Sequence, residues 1–190
     1  MAVFSALAGC SGADPRFPPA DLVDSVDRYF PALHVRDQDD EALNRNLHWY
    51  TLVEMLERSQ EPPLLSVARD GEAFYRFLWV GCWGESLLVR VASSKQGRSV
   101  EARGAGLPAN VRRALSDGEW GEFSGLLRKS SWDSMNVRDG ISGLDGGYWI
   151  VEGVQGGRYR YVERWTPNPG PYLDLCLFMV SLSSTTFEPY

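Results

Sequence analysis

Ala73-Phe-Tyr-Arg-Phe-Leu-Trp-Val80, Ser86-Leu-Leu-Val-Arg-Val-Ala92 and Arg98-Ser-Val-Glu-Ala-Arg103 follow one another with short turns between them. Their apolar residues recur with a period of two, the mark of strands with a buried face. In the second run Leu87, Val89 and Val91 share one face, and Leu88 and Arg90 share the other. The turns Gly81-Cys-Trp-Gly-Glu85 and Ser94-Lys-Gln-Gly97 are too short for a parallel crossover, so the stretch predicts a three-strand antiparallel meander.

Upstream the period is helical. Leu22, Val23, Val26, Tyr29 and Phe30 predict a helix over 20–30 that Pro31 ends. A second helix is predicted over about 39–59. Asp37, Asp39, Asp40 and Glu41 sit at its start, where the helix dipole favours negative charge, and Leu43, Leu47, Tyr50, Leu52, Val53 and Leu56 form its apolar face. Pro62-Pro63 stop it. Downstream of the meander, Ser116-Asp-Gly-Glu119 is a capping box, with Leu115 and Trp120 placed as its hydrophobic staple. Trp120, Phe123, Leu126 and Leu127 supply the stripe of a helix ending near Ser130, and Trp132 tucks back behind it.

A hairpin follows, Tyr148–Gly153 and Arg158–Trp165, turning through Gln155-Gly156-Gly157. After Pro167, Pro169 and Pro171, the run Tyr172–Leu182 is apolar on almost every side and predicts a buried final helix. Segregated antiparallel strands with helices packed on them give an α+β fold: a three-strand meander plus a hairpin, covered by helices. No repeat of solenoid length is visible.

The segment Gly143-Leu-Asp145-Gly-Gly-Tyr-Trp149-Ile-Val-Glu152-Gly153, with Tyr159 and Arg164-Trp165-Thr-Pro167 after it, resembles a group of uncharacterised bacterial proteins. In that group a Gly-Leu-Asp-Gly element precedes a Trp-x-x-Glu-Gly strand, and a strand ending Arg-Trp-x-Pro follows. The likeness covers about residues 73–183 and implies a shared fold without an activity. Alternation places Tyr148, Ile150, Glu152, Tyr159, Tyr161, Glu163 and Trp165 on one face of the hairpin, and Trp149, Val151, Arg160, Val162 and Arg164 on the other. Two interpretations stand. Asp145, Trp149, Glu152, Tyr159, Arg164 and Trp165 serve a ligand or partner surface, or the aromatics make cross-strand pairs, Arg164 stacks on Trp149 and Asp145 holds its own loop.

The first residues carry a second resemblance. Leu7-Ala8-Gly9-Cys10, after an apolar run, is similar to the lipobox of bacterial lipoproteins, whose cysteine takes the lipid. The resemblance implies lipidation of Cys10, a membrane partner through that anchor and, with Ser11 next, an outer-membrane protein facing the periplasm. Nine residues, none of them basic, precede Cys10, short of a full signal peptide. The expected organisation is a signal remnant at 1–10, a Gly- and Pro-rich tether at 11–19 and one α+β domain over 20–190; a cytoplasmic location is the alternative. Cys82 and Cys176 are then either an oxidised pair or two ordinary buried thiols.

The chain's 190 residues, 44% hydrophobic and 23% charged, make a globular protein large enough to need no metal or disulfide staple. A net charge of -6 argues against nucleic acid as a partner. Two histidines, His34 and His48, and no Cys-x-x-Cys leave a zinc site without ligands. The acidic residues at 37–41 lack the glycine and spaced glutamate of a calcium loop, Gly104-Ala-Gly106 lacks the Lys-Ser/Thr of a phosphate loop, and no nucleophile elbow occurs. No cofactor, metal or catalytic residue is therefore expected. The expectation is a non-enzymatic cell-envelope lipoprotein that binds another envelope component. The alternatives are a periplasmic immunity protein neutralising an effector enzyme, or a hydrolase using Asp145 or Glu152.

Overall fold

The first compact unit of the chain ends at Gln60 and the second begins at Glu61. The computed structural model describes residues 20–33, 48–68, 71–107, 109–141, 143, 145–186 and 189. The lipobox with Cys10, the tether, His34 and the acidic start of the second helix lie outside these residues.

In the first unit, helix α1 (Ala20–Tyr29) stops at Pro31, which lacks the N–H that the next helical turn needs, and a 3-10 turn (Pro31–Leu33) follows. Helix α2 (His48–Arg58) buries Tyr50, Leu52, Val53 and Leu56 of its predicted apolar face, together with Trp49, which the prediction left off that face, while α1 buries Val26 and Tyr29. An ion pair from Arg28 Nη2 to Glu57 Oε1, 2.8 Å, joins the two helices at their exposed side.

The second unit opens with a single helical turn, α3 (Leu64–Val67), started by the Pro62-Pro63 pair that the sequence marks only as a stop. Six strands follow: β1 (Ala73–Gly81), β2 (Ser86–Ser94), β3 (Gly97–Gly104), β4 (Val111–Ala114), β5 (Gly147–Gln155) and β6 (Arg158–Trp165). They form one antiparallel sheet in the order β4-β3-β2-β1-β5-β6. The α+β class and the antiparallel sheet stand, but the expected three-strand meander plus hairpin is corrected in its strand count. The meander has a fourth strand, β4, whose Val-Arg-Arg-Ala is too short and too charged to show a period. The hairpin joins the meander through β5, which returns to pair with β1 from Ala73↔Gln155 to Gly81↔Gly147.

Helix α4 (Asp117–Lys129) begins at the predicted capping box. Ser116 Oγ accepts from the Glu119 N–H at 3.2 Å, and the Ser116 N–H donates to Glu119 Oε2 at 2.8 Å. A 3-10 turn (Trp132–Ser134) and helix α5 (Pro171–Leu182) complete the layer. Their side chains Phe123, Trp132, Leu175, Cys176 and Met179 pack on the odd-numbered face of the central strands, on Tyr75, Phe77, Trp79, Val89, Val91, Trp149 and Val151. Each large side chain taken out of water here contributes about 1.5–3 kcal/mol. Tyr172 fastens α5 to the sheet, its hydroxyl donating to the carbonyls of Trp149 (2.9 Å) and Val162 (3.0 Å). At Gly153 there is no room for a side chain: a Cβ there would lie 2.5 Å from the Tyr75 ring and 3.0 Å from the Trp132 indole. Both cysteines are free thiols; Cys176 is buried in this core, but Cys82 is exposed on the β1–β2 turn, which corrects the expectation that it is buried.

Candidate functional site

The other face of the sheet carries charge. Arg76, at the centre of β1, is fully buried, and so is Glu152 beside it on β5. Arg76 Nε donates to Glu152 Oε1 at 2.7 Å and Nη2 stands 2.6 Å from the same oxygen. Nη1 donates to the Pro62 carbonyl at 3.1 Å and lies 3.6 Å from Glu61 Oε2. The second oxygen of Glu152 accepts from the Tyr159 hydroxyl at 2.7 Å. Glu61, 2% exposed, also pairs with Arg90 and Arg103, and Arg90 and Arg112 both pair with Glu101. Four arginines and three glutamates on α3's flank and β1, β2, β3, β4 and β5 thus pair with one another.

Burial pushes the Glu152 carboxyl above its usual range, and the Arg76 guanidinium and the Tyr159 hydroxyl act against that shift. Burial and the neighbouring Glu152 push the Tyr159 phenol well up. Glu163, 5% exposed, accepts from the Tyr161 hydroxyl at 2.6 Å. Both oxygens of Glu152 are engaged inside the sheet, so its chemistry in this structure is charge compensation.

The residues that the sequence groups as a ligand surface therefore separate. Glu152 and Tyr159 belong to the charged face. Trp149, 2% exposed, lies in the helix-covered core with its ring 5.8 Å from Phe77. Arg164 shares that face, but it stands over the Tyr172 ring at 5.6 Å, which corrects the expected stacking on Trp149. Its guanidinium donates to the carbonyls of Asn136 (3.0 Å) and Glu163 (2.6 Å) and reaches Asp139 at 3.5 Å, so it holds the 136–139 segment along β6. The period-two alternation predicts the two faces; Glu152, Tyr161 and Glu163 on one and Trp149, Val151 and Val162 on the other are buried, while Tyr148, Tyr159, Arg160, Arg164 and Trp165 stay half-buried.

Asp145 and Trp165 lie elsewhere, at the end of the sheet where β1 turns into β2. Trp165 meets Tyr148 edge-on at 4.8 Å, and its indole backs onto Gly143 and Gly146, where a Cβ would come within 2.5 and 3.1 Å of it. Gly146 has φ +145, a region that suits glycine, and a Cβ there would also meet Thr166 Oγ1 at 2.2 Å. This is what the glycines of the Gly-Leu-Asp-Gly element do. They let the loop press against Trp165 while its carbonyl at Gly146 accepts from the Cys82 N–H at 3.0 Å.

That bond ties the β1–β2 turn to the Asp145 loop. Exposed together at this end are Trp83 (75%), Glu85 and Asp145, and Ile141 (56%) lies on the chain leading into the loop. Trp83 is not among the predicted surface residues, although its place in the sequence carries a signal: a tryptophan between Cys82 and Gly84 in a five-residue turn has no strand or helix face to bury it. Among the described residues no group of three or more His, Cys, Asp or Glu is placed to hold a metal ion, and no helix is long and apolar enough to cross a membrane. No protein-family model matches the chain, and no curated protein matches it in sequence.

Proposed function

We propose that this chain is a non-enzymatic lipoprotein of the cell envelope, anchored through Cys10, that docks a protein partner at the β1–β2 end of its sheet. The observation that carries the docking is Trp83, three-quarters exposed on a turn fixed to the Asp145 loop. A tryptophan held out by a tied-down backbone loses little freedom on binding and is the residue type most often dominant in protein interfaces. Glu85 on the same turn and Asp145 on the loop bonded to it are exposed, and the chain carries a net -6. The partner surface that complements this is an apolar pocket edged by lysine or arginine. The same end favours the immunity interpretation as a second reading, because an acidic, tryptophan-tipped turn is shaped to enter a basic enzyme cleft.

The test is a photo-crosslinking amino acid at position 83, in the full-length protein in its native cells, with the exposed Leu177 position on the outer side of α5 as the control. One membrane-fraction adduct specific to position 83, and abolished by Asp145→Lys, is the expected result. The same adducts from both positions would overturn the docking surface. With the partner in hand, Trp83→Ala weakens binding about 30-fold, the equivalent of about 2 kcal/mol for an interface tryptophan.

A further inference from the structure

Opposite the Trp83 end, where β5 turns into β6, two adjoining cavities of about 220 and 320 Å³ share the side chains of Trp132, Asp133 and Gln155 as walls. Arg158 lines the first and Arg128 the second, both exposed. Other guanidinium groups are engaged: Arg76, Arg90 and Arg103 with glutamates, Arg113 with Glu119, and Arg160, which also lines the first cavity, with the carbonyls of Trp132 and Met135. Among the described residues, Arg128 and Arg158 are the two arginines whose side chains make no hydrogen bond, ion pair or ring contact. Both line one cleft.

The wall between the two halves is built to recognise more than charge. Tyr75 donates its hydroxyl to Gln155 Oε1 at 2.8 Å. Burial, with Asp133 nearby, pushes the Tyr75 phenol up to about 12, so it is a fixed donor at neutral pH. The carboxamide of Gln155 is thereby oriented, with its oxygen on Tyr75 and its NH2 left to donate to a carbonyl. Asp133, exposed beside it, offers only acceptors. Ordered from end to end, the cleft presents a cation, an acceptor and a donor, and a cation.

We propose that this cleft binds a short acidic peptide segment, with carboxylates on Arg128 and Arg158 and backbone N–H and C=O groups on Asp133 and Gln155. A compact anion such as phosphate satisfies one arginine but meets the Asp133 carboxylate between them. A ligand with its charges at two ends and amides in the middle satisfies all four groups. The volumes suit a small organic ligand, at the lower end of the range for such sites. The site lies a full nine-residue β1 strand away from Trp83, about 25–30 Å along the sheet, and is independent of the docking surface proposed there.

The experiment is an NMR titration of the full-length protein with N-acetyl-Glu-Glu-amide, following the Gln155 side-chain amide and the Arg128 and Arg158 Nε–H signals. The Gln-Gln counterpart and inorganic phosphate are the controls. The acidic peptide is expected to shift these signals with a Kd of about 1 mM or tighter, and the controls at least about 10-fold more weakly. Arg128→Gln and Arg158→Gln each weaken the peptide about 5–10-fold, the loss of one charge-assisted pair. Asp133→Asn is expected to narrow the gap between phosphate and peptide. Both arginines are surface residues without partners, so these variants keep the fold and Tm of the parent. Absence of shifts at about 10 mM peptide, equal binding of phosphate by the parent, or indifference to both arginine variants would each overturn the proposal.

Discussion

Arg76 and Glu152 face each other across β1 and β5, 76 residues apart in sequence and in direct contact at 2.6–2.7 Å, both without solvent exposure. A pair so buried is stabilising only relative to its own broken forms, because each ion has given up its hydration. The pair also fixes register. Sliding β5 by one residue would turn Glu152 into the apolar core and bring an apolar neighbour opposite Arg76.

Glu152→Gln leaves the Arg76 charge buried with half its compensation, and the expected cost is about 3–5 kcal/mol of unfolding free energy. The double replacement Arg76→Met with Glu152→Leu, which removes both charges, recovers most of that loss. Urea unfolding of the three proteins checks it. A single variant that loses less than about 1 kcal/mol would show that water or another cation reaches the site.

Four tyrosines with raised phenols set the alkaline limit. Burial is the largest cause in each case: Tyr75 is pushed up to about 12, and Tyr159, Tyr161 and Tyr172 well above 10.0. Between the unfolded value of 10.0 and these folded values the native state holds more protons than the unfolded one, so stability falls as pH rises through that window. Phenolate absorbance of these residues is therefore expected to appear together with loss of the native circular dichroism signal, starting above pH about 10. A smooth tyrosine titration near 10 in a protein that stays folded would contradict their burial.

The cap of α4 makes the opposite prediction at acid pH. The Arg113 guanidinium, 2.8 Å away, and the Ser116 N–H and hydroxyl hold Glu119 down to about 2. With its folded value below its unfolded one, Glu119 contributes stability above pH about 4.5 and loses that contribution as pH falls through about 2. Ser116→Ala costs about 1 kcal/mol at neutral pH. Glu119→Gln is expected to flatten the acid limb of a plot of stability against pH, and an unchanged limb would dismiss the cap as its source.

Much of this fold is legible in the sequence because its strands alternate and its α4 cap is local. Phe77, Leu87, Val89 and Trp149 lie on the face that a period of two assigns them. Strand β4 is not legible, since Val111–Ala114 gives no period to read. The pairing of β1 with β5 is not legible either, because it depends on where a chain returns after α4 and not on any local pattern. The candidate site divides in the same way. Alternation separates Glu152 from Trp149 and Arg164, but the burial of Glu152 depends on Arg76, whose proximity no spacing announces. Trp83 lies in a turn, outside every periodic pattern. The paired state of most arginines, which makes Arg128 and Arg158 distinctive, is likewise a property of the folded molecule.

The envelope assignment supports the rest of the functional account, and one measurement tests it: the intact mass of the protein made in a Gram-negative host from its native locus. The account predicts a chain that begins at Cys10 and carries acyl groups on that cysteine, recovered with membranes. A soluble, unmodified chain still holding residues 1–9 would contradict it, and an envelope partner for the Trp83 surface would fall with it.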